Sequence, residues 1–248
     1  MTNDLTNMTD KTKPKPVLIV SATQQDKKEE TQLYNSLTQT DLAKKSWKLQ
    51  MYENNTEPLP IIYNKHINRQ TLKNHDIVLF VHDDVFIDDV ACFTKIGYAM
   101  RDQGGYGFDI VGLAGGRDVS IKKPALWHHM ASTRFGAVAH PVDNLPDSAR
   151  IRVTDFGPSP ERCLILDGLF LAVNLKSAVD SNWKFNENFS FHHYDLASCI
   201  DANNKKLKLG TYPIWVVHKS PGLNDYWDET FQSSQKKFLE IYGTNEKD

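Results

Sequence analysis

Ile77-Val78-Leu79-Phe80-Val81-His82-Asp83-Asp84-Val85 is the stretch on which the reading of the whole chain turns. Its first five residues are apolar and too few for a helix, and Ile77, Val78 and Val81 are β-branched, the pattern of a strand buried on both faces. That strand runs straight into two adjacent carboxylates. Two acids side by side at a strand end repel each other, so a positive partner is expected beside them. A hard divalent cation carrying a diphosphate meets that demand, because Mg2+ or Mn2+ binds through one or two carboxylates and completes its shell with phosphate oxygens and water. An acidic turn is the competing reading, since Asp is common after strands and Asp88-Asp89 follows as a helix N-cap.

Outward from this stretch, similar apolar runs occupy residues 17–20, 110–113, 164–173 and 214–217, with a weaker one at 48–52. Segments of helical spacing lie between them, at 29–45, 64–74, 89–103, 195–205 and 224–242. The alternation predicts an α/β fold with a mostly parallel central sheet flanked by helices. In such sheets ligands bind at the carboxyl ends of the strands. Attention therefore falls on Ser21-Ala22-Thr23, Glu53-Asn54-Asn55, His82-Asp83-Asp84, Gly115-Gly116-Arg117 and His218-Lys219-Ser220.

Residues 1–15 are polar and without apolar periodicity, and are expected to be a disordered leader to a single domain over 16–248. From about residue 116 to 160 the periodicity fails and Pro124, Pro141, Pro146, Pro158 and Pro160 punctuate the chain. This predicts a long irregular insertion, either a lid or substrate-binding element or plain surface elaboration.

Composition excludes several classes. With 248 residues, 40% hydrophobic and 24% charged, the chain can bury one sizeable core. Its 29 basic and 31 acidic side chains give a net charge of -2 and no basic stripe, which argues against nucleic-acid binding. The three cysteines, Cys92, Cys163 and Cys199, are scattered and set in apolar surroundings, so neither a disulfide framework nor a CxxC metal site is indicated. No apolar run is long enough to cross a bilayer and the N-terminus lacks a secretory h-region. A cytoplasmic protein is expected, with room for peripheral contact with a membrane.

Three further features carry chemistry. Leu164-Ile165-Leu166-Asp167-Gly168-Leu169 interrupts an apolar run with a carboxylate and a glycine; a buried Asp needs a partner, and Gly permits close approach of a ligand or backbone, unless both merely mark a turn between two strands. Phe189-Ser190-Phe191-His192-His193-Tyr194-Asp195 opens a helix, where Asp195 serves either as a cap or, if it faces a cleft, as a general base. Zinc is the weaker reading of His192-His193, because adjacent histidines seldom ligate one ion. His218 ends a late strand and gains meaning only if that strand end converges on His82-Asp83-Asp84.

Taken in order, Val81-His82-Asp83-Asp84, Asp167-Gly168, Phe185-Asn186-Glu187-Asn188-Phe189 leading into His193-Tyr194-Asp195, and the closing strand with His218 resemble the GT-A glycosyltransferases, and family 2-like enzymes in particular. Glu53-Asn54-Asn55 with Leu59 and Tyr63-Asn64 is similar to the nucleotide side of that pattern. The resemblance spans roughly residues 16–218. It implies a nucleotide-diphospho-sugar donor held by Ser21, Ala22, Glu53, Asn55, Asn64 and Asp83, and Mn2+ or Mg2+ held by Asp84 and His218. It further implies Asp195 as the base for a glycan or other hydroxyl acceptor, with inversion. Trp127, His128, Asp167 and Gly168 are expected on the acceptor side, since aromatic faces stack on sugars, although Trp127 could equally belong to the core. His82 stands where the family's first acid would be, and Tyr194-Asp195 where a Glu-Asp pair is usual. A nucleotidyltransferase is the first alternative, but Ser21-Ala22-Thr23-Gln24-Gln25 is no Gly-rich phosphate loop. A binding protein of the same fold without catalysis is the second.

Overall fold

A computed structural model describes residues 14–40, 42, 46–120, 123–131, 133–142, 151–219 and 229–243. Apart from Pro14 and Lys15, the expected leader lies outside the described residues. Strand β1 (Val17–Ala22) crosses through helix α1 (Gln32–Gln39) to β2 (Trp47–Tyr52), which it pairs in parallel. The short helices α2 (Leu59–Asn64) and α3 (Arg69–Leu72) lead to β3 (Ile77–Val81), parallel to β1 on its other side. Then follow β4 (Val85–Ile87), α4 (Cys92–Met100), β5 (Ile110–Gly112), β6 (Ala114–Gly116), α5 (Trp127–Met130), β7 (Arg134–Pro141), β8 (Ile151–Gly157), β9 (Glu161–Cys163) and β10 (Ile165–Leu166). The chain continues through β11 (Phe170–Asn174), α6 (Leu175–Asp180), α7 (Tyr194–Asn204), β12 (Leu209–Thr211), β13 (Val216–His218) and α8 (Glu229–Tyr242).

The larger sheet has the order β2-β1-β3-β11-β5-β12-β9. Only β11 and β9 run against the direction shared by β1, β2, β3, β5 and β12. A second sheet, β10-β6-β7-β13-β4, carries β8 on β7. Val78, Leu79, Phe80 and Val81 are fully buried, as the apolar run requires of a central strand. Phe80 packs its ring against Tyr63 (centroids 4.7 Å) and Phe185 (4.9 Å), which ties α2 and the loop before α7 to the strand that ends in the acidic turn.

Several boundaries differ from those the periodicity suggests. The apolar run 164–173 is two strands in two sheets, because Asp167 turns the chain: its Oδ1 accepts from the Leu169 N–H at 3.0 Å. The segment 64–74 is not one helix, because Asn68 caps a new start, its Oδ1 accepting from Gln70 N and Thr71 N at 2.9 Å each. The stretch from 116 to 160, expected to be irregular, contains the antiparallel pair β7·β8, registered from Gly136↔Gly157 to Pro141↔Ile151. Gly136 and Pro141 break the alternation that would have revealed β7, and β8 is mostly solvent-facing, so neither has a clean apolar period. The segment 29–45 yields α1, which ends at Gln39; residues 41 and 43–45 lie outside the described residues. The first turns of the expected 224–242 helix, at 224–228, do so too.

Candidate metal centre and donor cleft

The turn after β3 and the end of β13 meet because β13 pairs antiparallel with β4, placing His218 opposite Val85. Lys219 N–H donates to the Asp84 carbonyl at 3.0 Å and locks the two ends together. His218 Nε2 lies 3.3 Å from Asp84 Oδ1. One ligand atom from each of His82, Asp84 and His218 lies within 4.8 Å of the others. Asp84 Oδ1 is buried and makes no directed hydrogen bond among the described residues, so its contact with His218 is one of charge and proximity. A buried carboxylate oxygen with no donor beside two imidazoles fits a divalent cation.

The three groups also set one another's charge, Asp84 and His218 as a mutual pair and His82 through its burial. Burial alone would raise the Asp84 carboxyl, but His218 outweighs it and holds the pKa below the usual carboxylate range. Burial alone would lower His218, and Asp84 reverses that. Burial lowers the pKa of His82 and favours its neutral, metal-ligating form. His140 Nδ1 meets the His218 backbone carbonyl at 3.2 Å and buttresses the strand end.

A second group lies beside the first. Asp195, in the first turn of α7, accepts from Gly168 N–H through Oδ2 at 3.0 Å and from Leu196 N–H through Oδ1 at 2.9 Å. Burial, with the charge of Asp167 second, pushes its pKa up to about 7. A carboxylate with this pKa is suited to general-base work near neutral pH. Gly168 is buried between them, and its carbonyl accepts from the Tyr194 hydroxyl at 3.0 Å. The helix start is held from the other side by α8, through His193 Nδ1 and Ser234 Oγ at 3.0 Å. His193 is thereby turned to α8 with Phe231 and Phe238, not paired with His192 on an ion.

Two cavities flank the acidic turn. One, about 550 Å³, is lined by Ala22, Thr23, Asn55, Glu57 and Asp83 among others. Its floor joins the ends of β1 and β2, where Thr23 N–H donates to Tyr52 O at 2.9 Å and Asn55 N–H to Thr23 O at 2.8 Å. The other, about 190 Å³, is lined by His82, Trp127, His128, Asp167, Gly168 and Asp195 among others. Phe191 lines both and stacks against His82 with centroids 5.9 Å apart.

Of the residues expected on the donor side, Ala22, Asn55 and Asp83 line the larger cavity. Ser21, Glu53 and Asn64 are not among its walls. Ser21 is fully buried with its hydroxyl unpartnered among the described residues. Glu53 Oε1 accepts from Lys28 N–H at 2.6 Å and braces the loop before α1. Asn64 is buried and bonded through both amide atoms to Phe185 and Glu187, so its polar groups are occupied by the fold. Of the residues expected on the acceptor side, Trp127, His128, Asp167 and Gly168 line the smaller cavity with Asp195, and Trp127 is also buried against Phe156, as its core reading requires. Thr23, at a strand end already singled out, lines the larger cavity too, whereas Glu57 and Phe191 as cleft residues and His82 as a third metal-capable group were not evident from the sequence. For Phe191 a signal exists: it is a large aromatic between Ser190 and two histidines, and it is 55% exposed.

A sheet whose strands mostly share one direction, with an acidic turn at the end of an interior strand and clefts on either side, is a GT-A type α/β arrangement. The model of the glycosyltransferase-like family matches residues 22–242, and the chain belongs to that family; it is a glycosyltransferase. The mannosyltransferase PcManGT from Pyrobaculum calidifontis, solved in complex with GDP-Man and Mn2+, aligns with a TM-score of 0.51 and 9% identity, over 94% of this chain and 66% of that one. This chain therefore spans just under two thirds of that enzyme. A197 from STIV aligns over 80% of this chain and 82% of its own, with TM-score 0.44 and 11% identity. A glycosyltransferase involved in glycosylation of the major capsid of PBCV-1 aligns over 91% and 99%, with TM-score 0.32 and 12% identity. At these identities the likeness concerns the fold, and its weight rests on the mannosyltransferase. A comparison with curated proteins gives no match. Among the described residues no helix is long and apolar enough to cross a membrane.

Proposed function

We propose that the chain, as one GT-A domain over 16–248 working in the cytoplasm, moves a sugar from a nucleotide-diphosphate donor to an acceptor hydroxyl with inversion. The carrying observation is that one turn serves both cavities: Asp83 lines the larger and His82 lines the smaller, where Asp195 also lies. The donor nucleotide occupies the larger cavity, with Ala22, Thr23 and Asn55 against it and Asp83 toward the diphosphate. Asp84 and His218, with His82 beside them, hold Mn2+ or Mg2+. A divalent cation bound there stabilises negative charge on the departing diphosphate.

The acceptor occupies the smaller cavity, with Trp127 and His128 against its sugar and Asp167 and Gly168 at the reacting end. Asp195 takes the proton from the attacking hydroxyl. Its raised pKa, caused by burial and Asp167, suits it to do so near pH 7. Gly168 N–H and Leu196 N–H orient the carboxylate for that transfer. Phe156 of β8 packs against Trp127 with ring centroids 5.5 Å apart, and through that contact the β7·β8 segment backs the acceptor wall and helps to exclude water.

The test is a panel of nucleotide-diphospho-sugars incubated with the protein and simple glycoside acceptors, with release of nucleoside diphosphate measured in Mn2+ and in EDTA. Release from at least one donor that requires the cation is expected. Metal-independent release, or no release and no binding of any donor, contradicts the proposal.

A further inference from the structure

The ring of His82 uses Nε2 to meet the Tyr194 hydroxyl oxygen at 3.1 Å. Tyr194 in turn donates its hydroxyl proton to the Gly168 carbonyl at 3.0 Å. A phenol has one proton, so its oxygen accepts from His82, and Nε2 is the protonated ring nitrogen. Nδ1 is left with a lone pair. Tyr194 is 2% exposed, so water does not compete for these bonds and the tautomer is fixed by the fold. This is the arrangement by which metal-binding histidines are commonly oriented: one nitrogen is held by an outer hydrogen bond and the other is presented to the ion.

The second imidazole is already in place. His218 Nε2 stands 3.3 Å from Asp84 Oδ1, and His82, Asp84 and His218 each offer an atom within 4.8 Å of the others. Resting on the metal reading above, we infer that the cation is held by two imidazoles and one carboxylate, with His82 ligating through Nδ1, and that this nitrogen-rich set selects Mn2+ and other transition metals over Mg2+. The chemical reason is ligand type. Mg2+ demands oxygen donors in near-ideal octahedral geometry, whereas imidazole favours transition metals. An acid at position 82 would supply a second oxygen and relax that preference. Tyr194 is then a positioning residue, acting on the ion through His82.

The experiment uses the full-length protein without donor, titrated with Mn2+ and followed by continuous-wave and pulsed electron paramagnetic resonance, with Mg2+ as competitor. The wild-type protein is expected to show nitrogen couplings from two imidazoles and to release Mn2+ only at roughly 100-fold or greater excess of Mg2+. His82→Asp should lose one nitrogen coupling and bring the two ions closer in affinity by about 10-fold. Tyr194→Phe keeps all three ligands but frees the tautomer, and should weaken Mn2+ binding by roughly 10- to 100-fold. One nitrogen coupling in the wild type, or a Mn2+ to Mg2+ preference unchanged in His82→Asp, overturns the inference and leaves the transferase reading standing. Absence of Mn2+ binding with or without nucleoside diphosphate instead removes the metal reading on which it rests. The nitrogen count in the wild type decides the matter even if a variant fails to fold.

Discussion

Gly168 holds Asp195 by its backbone: its N–H donates to Asp195 Oδ2 at 3.0 Å, while its carbonyl accepts from the neighbouring Tyr194 hydroxyl at 3.0 Å. One residue, through its two flanking peptides, thus bridges the proposed base and the tyrosine that orients His82. The position admits no side chain, since a Cβ there would lie 2.5 Å from Tyr194 Oη and 3.0 Å from Asp195 Cβ. Gly168→Ala is therefore expected to displace the start of α7, lowering stability by about 1–3 kcal/mol through overpacking and turnover more than donor binding. Thermal unfolding and steady-state kinetics on the same preparation check this. Unchanged melting temperature and turnover would mean that the contact is loose.

Asp195→Asn separates capping from catalysis. If the residue is the base, the substitution preserves shape and removes proton acceptance, and turnover should fall by roughly 100-fold or more with donor affinity nearly unchanged. Wild-type turnover should rise with pH through an inflection near the pKa of about 7 that burial and Asp167 impose. The stability sign is opposite. An acid whose folded pKa is raised favours the neutral form in the folded state, so it costs nothing below its unfolded pKa of about 4. The penalty grows as pH rises toward about 7 and is complete above it. Asn sets its NH2 against one of the two backbone N–H groups that Asp195 accepts from, a cost that does not vary with pH. The stability of Asp195→Asn relative to the wild type should therefore rise from the acid limit to pH 8, measured by denaturant unfolding across that range. Near wild-type turnover in a folded Asp195→Asn protein leaves only the helix-end role.

Asn64→Ala tests a residue that the fold has claimed. Its side chain makes hydrogen bonds of 2.8 and 2.9 Å with the backbone of Phe185 and one of 2.8 Å with Glu187. At about 1 kcal/mol each, their loss should lower stability by roughly 2–3 kcal/mol while donor affinity stays within about twofold. Calorimetric titration beside denaturant unfolding distinguishes the cases. A tenfold loss of donor affinity at unchanged stability would return Asn64 to the donor contacts.

What the sequence makes legible follows from where local chemistry dominates. The run Ile77–Val81 reads locally as a buried strand and is one, while Asp83 and Asp84 at its end marked a candidate site alongside the competing reading of a plain acidic turn. His218 was weaker in isolation, because its meaning depends on β13 pairing with β4, a contact across more than a hundred residues that no local pattern encodes. The same holds for Asn64: its amide and Phe185 are distant in sequence, and nothing near either residue distinguishes a clamp from a ligand contact. Asp167 looked like a carboxylate inside one strand because apolar residues flank it on both sides, yet those flanks are buried in two different sheets. The strands β7 and β8 escaped because Gly136 and Pro141 interrupt one and solvent covers much of the other. His82 read as a departure from an acidic motif, and only the approach of Tyr194 and His218 makes it a candidate ligand.

Asp84, whose buried Oδ1 faces His218 at 3.3 Å, is the proposed carboxylate ligand of the cation. Isothermal titration of a nucleoside diphosphate into the wild type and into Asp84→Ala, each in Mn2+ and in EDTA, measures its role. The wild type should bind in Mn2+ and weaken by at least about 10-fold in EDTA, while folded Asp84→Ala should bind equally weakly in both, because a carboxylate ligand of the cation is gone. Metal-enhanced binding that survives intact in Asp84→Ala would contradict the placement of the diphosphate and its cation at this turn.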